Sequence, residues 1–420
     1  MTLGSLPPHL ITSVPGPRSV AAVDVLAAHE CPAITARRSR RAAVLGVADT
    51  DPIVWEQAVG SNVIDADGNR FVDLTSGFGV ALVGHRHPEV VEAAQAQSER
   101  LLHAMGDAFP DTTRIALLQE LAAIAPGDLS VSILGLSGAD AVDGAVKTAL
   151  LATGRTGVLT FDGSYHGLSL GTLALQGYKA AFREPFAAIA HPDVRRLPYG
   201  VDRGAVHAAL AAGDVGLVLV EPILGRGGIR PAPPGWLQAL AEEARAAGAL
   251  LAFDEIQCGL GRSGAPFAGP QQGVVPDLMC VGKALAGGFP LSATVGTPQV
   301  MAAWGASEGE ALHTQTFLGH PVGCAAARVV LSQLRGGLCE RVVERGQALA
   351  EAFGGRRHRG RGLMRAVELR GDALAATRAL LQRGFLVLPA GPRSLGLTPP
   401  VVLGDAQLEA FAHALDEVDP

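Results

Sequence analysis

The chain has 420 residues, 34 basic and 40 acidic side chains, and a formal net charge of −6. That length predicts more than one domain, and the acidic balance removes any general pull toward nucleic acid. With 48% apolar residues but no uninterrupted apolar run near the length of a spanning helix, the sequence reads as a soluble protein that does not enter a membrane.

Residues 1–60 are rich in Pro and Arg and weakly periodic, which predicts an extended arm or short helix lying on the body or on a partner. Within it, Arg37, Arg38, Arg40 and Arg41 could form a twin-arginine export signal. The apolar stretch that follows is short and meets Asp49 and Asp51 at once, so a solvated patch is the better reading. Residues 62–65 and 71–73 flank the turn residues Asp67, Gly68 and Asn69, a hairpin signal. Pro88 opens a helix running to about 102, with Pro in its first turn. Asp111 or Thr112 caps another to about 125.

From 131 onward short apolar runs alternate with helical periodicity: strands at 131–134, 157–161, 217–220, 249–253 and 278–281, helices at 139–152 and 235–247. Strands without polar positions predict a mostly parallel sheet buried on both faces by helices, the α/β class. After 320 the rhythm changes to helices at 322–335 and 338–353, a strand at 363–369, a helix at 373–384 and a strand at 385–388. The expected organisation is therefore an arm (1–60), a large domain (61–320) and a smaller α+β domain (321–420). The five cysteines, Cys31, Cys258, Cys280, Cys324 and Cys339, are scattered and lack metal-ligand spacing. They read as reduced thiols in a cytoplasmic protein with no metal site.

The chemistry concentrates where strands end. One apolar run ends in Asp254 and Glu255, and the next ends in Gly282 and Lys283. Ligands collect at the carboxyl edge of such sheets, so an acid and a lysine are expected at one site. The chain has only three lysines, Lys147, Lys179 and Lys283, and otherwise uses arginine. Arginine stays protonated and cannot serve as a neutral amine nucleophile. A lysine kept here points to Schiff-base formation with a carbonyl cofactor.

Four further stretches fall at turns after strands or nearby. Ser137, Gly138 and Ala139 start a helix, where free N–H groups could cradle a phosphate. Tyr165 and His166 follow the 157–161 strand; the aromatic could stack on a flat ring, or the pair could simply satisfy loop hydrogen bonds. Glu221-Pro222-Ile223 and His313 to Phe317 complete the set. Gly259 to Gly264 matches G-x-G-x-x-G, but Pro266 and Pro270 leave no room for the helix a dinucleotide site requires.

In order and approximate spacing, Ser137 to Lys147, Tyr165-His166-Gly167, Glu221-Pro222, Asp254 to Gln257, Gly282-Lys283 and Thr316-Phe317 resemble the class III aminotransferases, pyridoxal-phosphate enzymes of fold type I. The resemblance implies that Lys283 forms the internal aldimine with pyridoxal 5'-phosphate and that Asp254 pairs with its ring nitrogen. It also implies that Gln257 reaches the ring hydroxyl and that Tyr165 or His166 covers the ring. Gly138 and Ala139 would hold the phosphate, aided by Thr316 of a neighbouring subunit, and Glu221 belongs to the cofactor site. The implied assembly is a homodimer, or a dimer of dimers, with shared sites. The implied reaction moves an amino group from an amino acid or ω-amine to an oxo acid, with Lys283 carrying the proton.

Two positions depart from the family pattern. Relatives acting on 2-oxoglutarate pair a glutamate after Glu-Pro-Ile with a late arginine; here those positions read Arg226 and Gly396. Arg226 is therefore expected to bind a substrate carboxylate itself, against the reading of a loop arginine paired with a structural acid, while Arg393 is another candidate. Phe78 resembles a pocket-wall position or is a core residue. Loss of the paired switch keeps a racemase, epimerase or aminomutase on the same fold as the alternative reaction. A cofactor-binding protein without turnover would not need Lys283, Asp254 and Gln257 together.

Overall fold

A computed structural model describes residues 3–35, 52–306 and 309–420. The arginine cluster at Arg37 to Arg41 lies outside the described residues. The chain forms two compact units: Pro88–Val343 with Gly360–Gly362, and Met1–His87 with Glu344–Arg359 and Leu363–Pro420.

The larger unit is built on a seven-stranded sheet among the described residues. Its strands are β1 (Val131–Gly135), β2 (Gly157–Phe161), β3 (Val194–Leu197), β4 (Val215–Val220), β5 (Leu250–Asp254), β6 (Leu278–Val281) and β7 (Ser292–Gly296). They lie in the order β1-β7-β6-β5-β4-β2-β3. The β6, β5, β4, β2 and β3 pairings are all parallel, and β7 runs antiparallel between β6 and β1.

Both faces of this sheet are apolar, and alternation decides which side chain goes where. Leu159, Phe161, Val218, Val220, Leu251 and Phe253 pack with Val206, Trp236, Leu237 and Leu240. Val158, Leu217, Leu219, Ala252 and Cys280 pack with Ala141, Val142, Ala145 and Ala149 on the other side. A strand buried on both sides has no polar positions, so it reads in sequence as a continuous apolar run. The expectation of a mostly parallel sheet between helices holds.

The longer helices of this unit are α1 (Pro88–Arg100), α2 (Thr112–Ile124), α3 (Gly138–Thr153), α4 (Arg203–Leu210), α5 (Trp236–Ala247), α6 (Pro321–Gln333) and α7 (Cys339–Glu351), whose C-terminal part belongs to the smaller unit. Asp111, rather than Thr112, caps α2, its Oδ1 accepting the N–H groups of Thr113 and Arg114 at 2.9 and 3.0 Å. Ser137 caps α3 and Gly154 ends it at φ 67°. Helices α6 and α7 are separated by one wide turn, Leu334–Leu338, in which Gly337 takes φ 87°.

The unit boundaries fall at 87 and 343 rather than at 60 and 320. Helix α6 packs on α1 and α2, so its apolar face belongs to the large core although the sequence rhythm has already changed. Strands β3 and β7 carry no sequence prediction. β7, Ser-Ala-Thr-Val-Gly, is made mostly of small residues whose periodicity is weak, yet every one of them is buried.

In the smaller unit the expected hairpin forms from Asn62–Asp65 and Arg70–Asp73, with Gly68 at φ 87°. Trp55–Val59 adds a third strand and Phe385–Leu386 a fourth, parallel one. The predicted 385–388 strand is split: Phe385–Leu386 joins this sheet and Leu388–Pro389 joins Ser394–Leu397 in another. The N-terminal segment is pinned by Asn62, whose Oδ1 accepts from Gly4 and Leu6, and by Asn69, whose Oδ1 accepts from Ile11 and Thr12. Pro17–His29 is a helix, so the arm is both extended and helical.

Candidate active site

Five loops leave the carboxyl edge of the large sheet after β1, β2, β4, β5 and β6, and the predicted residues sit on them. Asp254 is the last residue of β5 and stands opposite Cys280 of β6. Two residues beyond that strand, Lys283 takes φ 40°. A left-handed backbone at a side chain other than glycine costs of order 1–3 kcal/mol and marks a position held by its surroundings. Here it lies in a tight turn between Gly282 and Gly287.

Lys283 Nζ donates to Gln257 Oε1 at 3.3 Å. Burial holds its amine below the ordinary lysine range; the charges of Asp254 and Glu221 oppose this, and Arg226 reinforces it. An amine with a lowered pKa is neutral more often near neutral pH, as a nucleophile or base must be.

Asp254 is buried and accepts from His166 Nδ1 through Oδ2 at 2.7 Å and from Ile256 N through Oδ1 at 3.1 Å. His166 is buried too, at 1% exposure, and is spent on Asp254. Tyr165, half-buried, is the residue of the pair with an open ring, and the Arg226 guanidinium lies 4.3 Å from the centre of that ring.

Glu221 uses both oxygens on backbone. Oε1 accepts from Tyr165 N at 2.7 Å and Oε2 from Gly225 N at 2.8 Å. Burial, and then the Asp254 charge, push its carboxyl up, opposed by His166 and these two amides. Glu255, the other acid at the β5 end, turns away: it accepts from Ala268 N, Gly269 N and Cys258 Sγ and so holds the 258–269 loop. That loop contains the G-x-G-x-x-G match, which leads into turns with Leu260 and Gly261 left-handed, not into a helix.

At the start of α3, the first-turn amides of Gly138 and Ala139 have no partner within the helix. A Cβ on Gly138 would lie 2.9 Å from Ile256 Cδ1. Asp140, in the same turn, is tied by Leu136 N, Gln315 and His313, and His313 also meets Lys147 Nζ at 3.1 Å. Burial raises the Asp140 carboxyl, but those hydrogen bonds outweigh it and leave the group below its usual range. Thr316 is exposed, on the segment that His313 and Gln315 anchor.

Residues 46–418 match the family model for aminotransferase class-III. The chain belongs to the class III aminotransferases. The acetylornithine aminotransferase of Methanopyrus kandleri is 36% identical over 379 residues, covering 87% of this chain and 94% of that protein. That of Mycobacterium tuberculosis is 36% identical over 400 residues, covering 91% and 96%. Ornithine aminotransferase from Toxoplasma gondii, whose structure has partial occupancy of PLP at its active site, superposes with a TM-score of 0.80 at 28% identity, covering 90% of this chain and 93% of that one.

As a class III aminotransferase the enzyme depends on pyridoxal 5'-phosphate, and the residues present suit that molecule. Its aldehyde, ring nitrogen, ring hydroxyl and phosphate call for a primary amine, a buried carboxylate, an amide and a set of backbone N–H groups. Lys283, Asp254, Gln257 and the α3 N-terminus are groups of these kinds at one sheet edge and would fit it, and the close approach of Ile256 to Gly138 leaves no room there for a side chain. Ile256 had no functional signal in the sequence, because an isoleucine after two acids reads as core.

Phe78 and Arg393, also expected at the site, belong to the smaller unit. Phe78 is 52% exposed at φ 66° in a turn with Gly77 also left-handed. Asp73 holds that turn by accepting from Thr75 N and Gly77 N. Arg393 donates to Arg370 O in the same unit. All five cysteines are free thiols. Among the described residues no helix is long and apolar enough to cross a membrane.

Proposed function

We propose that Lys283, Asp254, Gln257, Tyr165 and the α3 N-terminus divide the work of amino transfer between an amino acid or ω-amine and a 2-oxo acid as follows. Lys283 would hold the cofactor through Nζ and, once displaced by the incoming amine, would carry the proton from the substrate carbon that bears nitrogen to the cofactor carbon that bore the aldehyde, the second half-reaction running the reverse way. The observation that carries this is its lowered, half-buried amine next to Gln257 and close to the Asp254 charge. The cofactor supplies a conjugated ring that accepts the electron pair left by bond cleavage at that carbon.

Asp254 orients the ring by accepting its N–H, and His166 keeps the carboxylate aimed from behind. His166 thus acts as a positioning residue. Gln257 would hold the ring hydroxyl, Tyr165 would cover one face, and the amides of Gly138 and Ala139 would receive the phosphate. Glu221 fixes the loops that carry Tyr165 and Gly225.

Exposed apolar side chains at Leu101, Leu102, Met105, Phe109, Leu312 and Phe317 support a homodimer, with Thr316 serving the partner's phosphate site. The scattered free thiols support a cytoplasmic enzyme.

The test is to load the purified chain with pyridoxal phosphate, add single amino donors, and follow loss of the cofactor's long-wavelength absorbance and release of the oxo product. A transaminase gives stoichiometric oxo product from donor alone and turns over when a 2-oxo acid is added. A racemase inverts its substrate and releases none. Borohydride reduction should fix the cofactor on Lys283; labelling elsewhere would overturn these assignments.

A further inference from the structure

We infer that Arg226 is the substrate-recognition residue of this site, taking a carboxylate of the amino donor or oxo acid in its guanidinium fork; this rests on the amino-transfer reading above. Two loops press together to place it. A Cβ on Gly227 would lie 2.4 Å from Gly163 O, and one on Gly163 would lie 3.2 Å from Leu224 Cδ1 and 3.6 Å from Gly227 Cα. The two backbones meet at glycines because no side chain fits between them.

Glu221 then clamps both loops at once, through Tyr165 N on one and Gly225 N on the other. The result is a fixed stack, with the Arg226 guanidinium 4.3 Å from the centre of the Tyr165 ring. Stacking on an aromatic face holds the guanidinium plane while leaving its N–H edge free for a planar acceptor.

The charges nearby leave that edge available. Among the described residues no carboxylate forms an ion pair with Arg226. Glu221 spends both oxygens on amides, and Asp254 accepts from His166 and Ile256. Arg230, on the same loop, is differently placed: it is exposed and its Nε donates to Gly227 O at 2.9 Å. The Arg226 charge also reaches the reacting amine, since it is among the influences on Lys283. An unpaired, half-buried cation in an amine-processing cleft selects an anionic substrate, because binding a carboxylate there supplies the missing counter-charge and two parallel hydrogen bonds. Amino acids and oxo acids are therefore preferred over simple amines of the same length.

The experiment compares holoenzyme with its Arg226→Gln and Arg226→Lys variants on two donor pairs that differ by one carboxylate: 4-aminobutyrate with butylamine, and glutamate with norvaline. For at least one pair, Arg226→Gln should lose about 10- to 100-fold in kcat/KM on the member with the additional carboxylate relative to its methyl-ended twin, the loss sitting in KM. Arg226→Lys should recover only part of it, because an ammonium lacks the fork.

A second readout needs no turnover. Glutarate, which has no amine or oxo group, should perturb the holoenzyme absorbance on binding, with a dissociation constant about 10- to 100-fold weaker in Arg226→Gln. Equal losses on both members of each pair, or glutarate affinity unchanged by the substitution, would overturn the assignment. If the parent turned over no donor but Arg226→Gln still weakened glutarate, the amino-transfer reading would fail and carboxylate recognition would stand.

Discussion

Replacing His166 by Phe tests whether a buried residue bonded to Asp254 sets the geometry of the cofactor site. The substitution keeps a planar ring in a site with 1% exposure but removes the donor to Asp254, leaving that carboxylate with only the Ile256 N–H at 3.1 Å. A hydrogen bond to a charged group is worth about 1.5–3 kcal/mol, and a buried acceptor that loses its partner forfeits a similar amount. If that free energy is what keeps Asp254 aimed at the ring nitrogen, cofactor affinity should fall by roughly 10- to 150-fold. Titrating apoenzyme with pyridoxal phosphate, by absorbance and by retention on desalting, gives the number directly. His166→Asn supplies the control, since its amide N–H2 can stand near the position of Nδ1–H and should restore much of the loss. A His166→Phe protein that folds, binds cofactor within threefold of the parent and turns over at the parental rate would refute the positioning role.

Four other outcomes are expected. The Lys283 amine, held low by burial, should be alkylated in apoenzyme with a pH midpoint below the free-lysine value of 10.5; because Arg226 contributes to the lowering, Arg226→Gln should move that midpoint upward. The same depression means that Lys283 contributes stability above its unfolded pKa which is lost as pH falls through its folded one, so Lys283→Met should flatten the apoenzyme's stability curve over that alkaline window, measured by urea unfolding. Gly225→Ala would place a Cβ 2.4 Å from Gln257 Oε1 and 2.8 Å from its Cδ; displacing Gln257 should cost about 1–3 kcal/mol in stability and shift the absorbance of bound cofactor, read by thermal melts and spectra. Glu221→Ala should destabilise by about 2–6 kcal/mol, because it strands the amides of Tyr165 and Gly225 together, measured by denaturant titration.

Much of this protein could be read from its residues because the signals were strong and local. Strands with two apolar faces, helix starts such as Ser137 and Asp111, and a scarce lysine after a strand each rest on chemistry within a few residues. Strand β7 escaped because its small residues have no distinct period and its burial comes from neighbours distant in sequence. The boundary after α6 escaped because helix-to-helix packing, not composition, assigns that helix to a core.

The sequence alone determined the parallel α/β sheet, the set of groups at its carboxyl edge and the presence of a scarce lysine among them, since these follow from side-chain type and periodicity. Only the tertiary structure decided the division of labour among them. It showed that Glu255 supports a loop while Asp254 pairs with His166, that Glu221 serves two backbone amides, and that Arg226 lies on Tyr165 with no acid partner among the described residues. The reason is physical: which hydrogen-bond partner a buried polar group finds depends on loops brought together by long-range packing, and that information is not carried by any one stretch of chain.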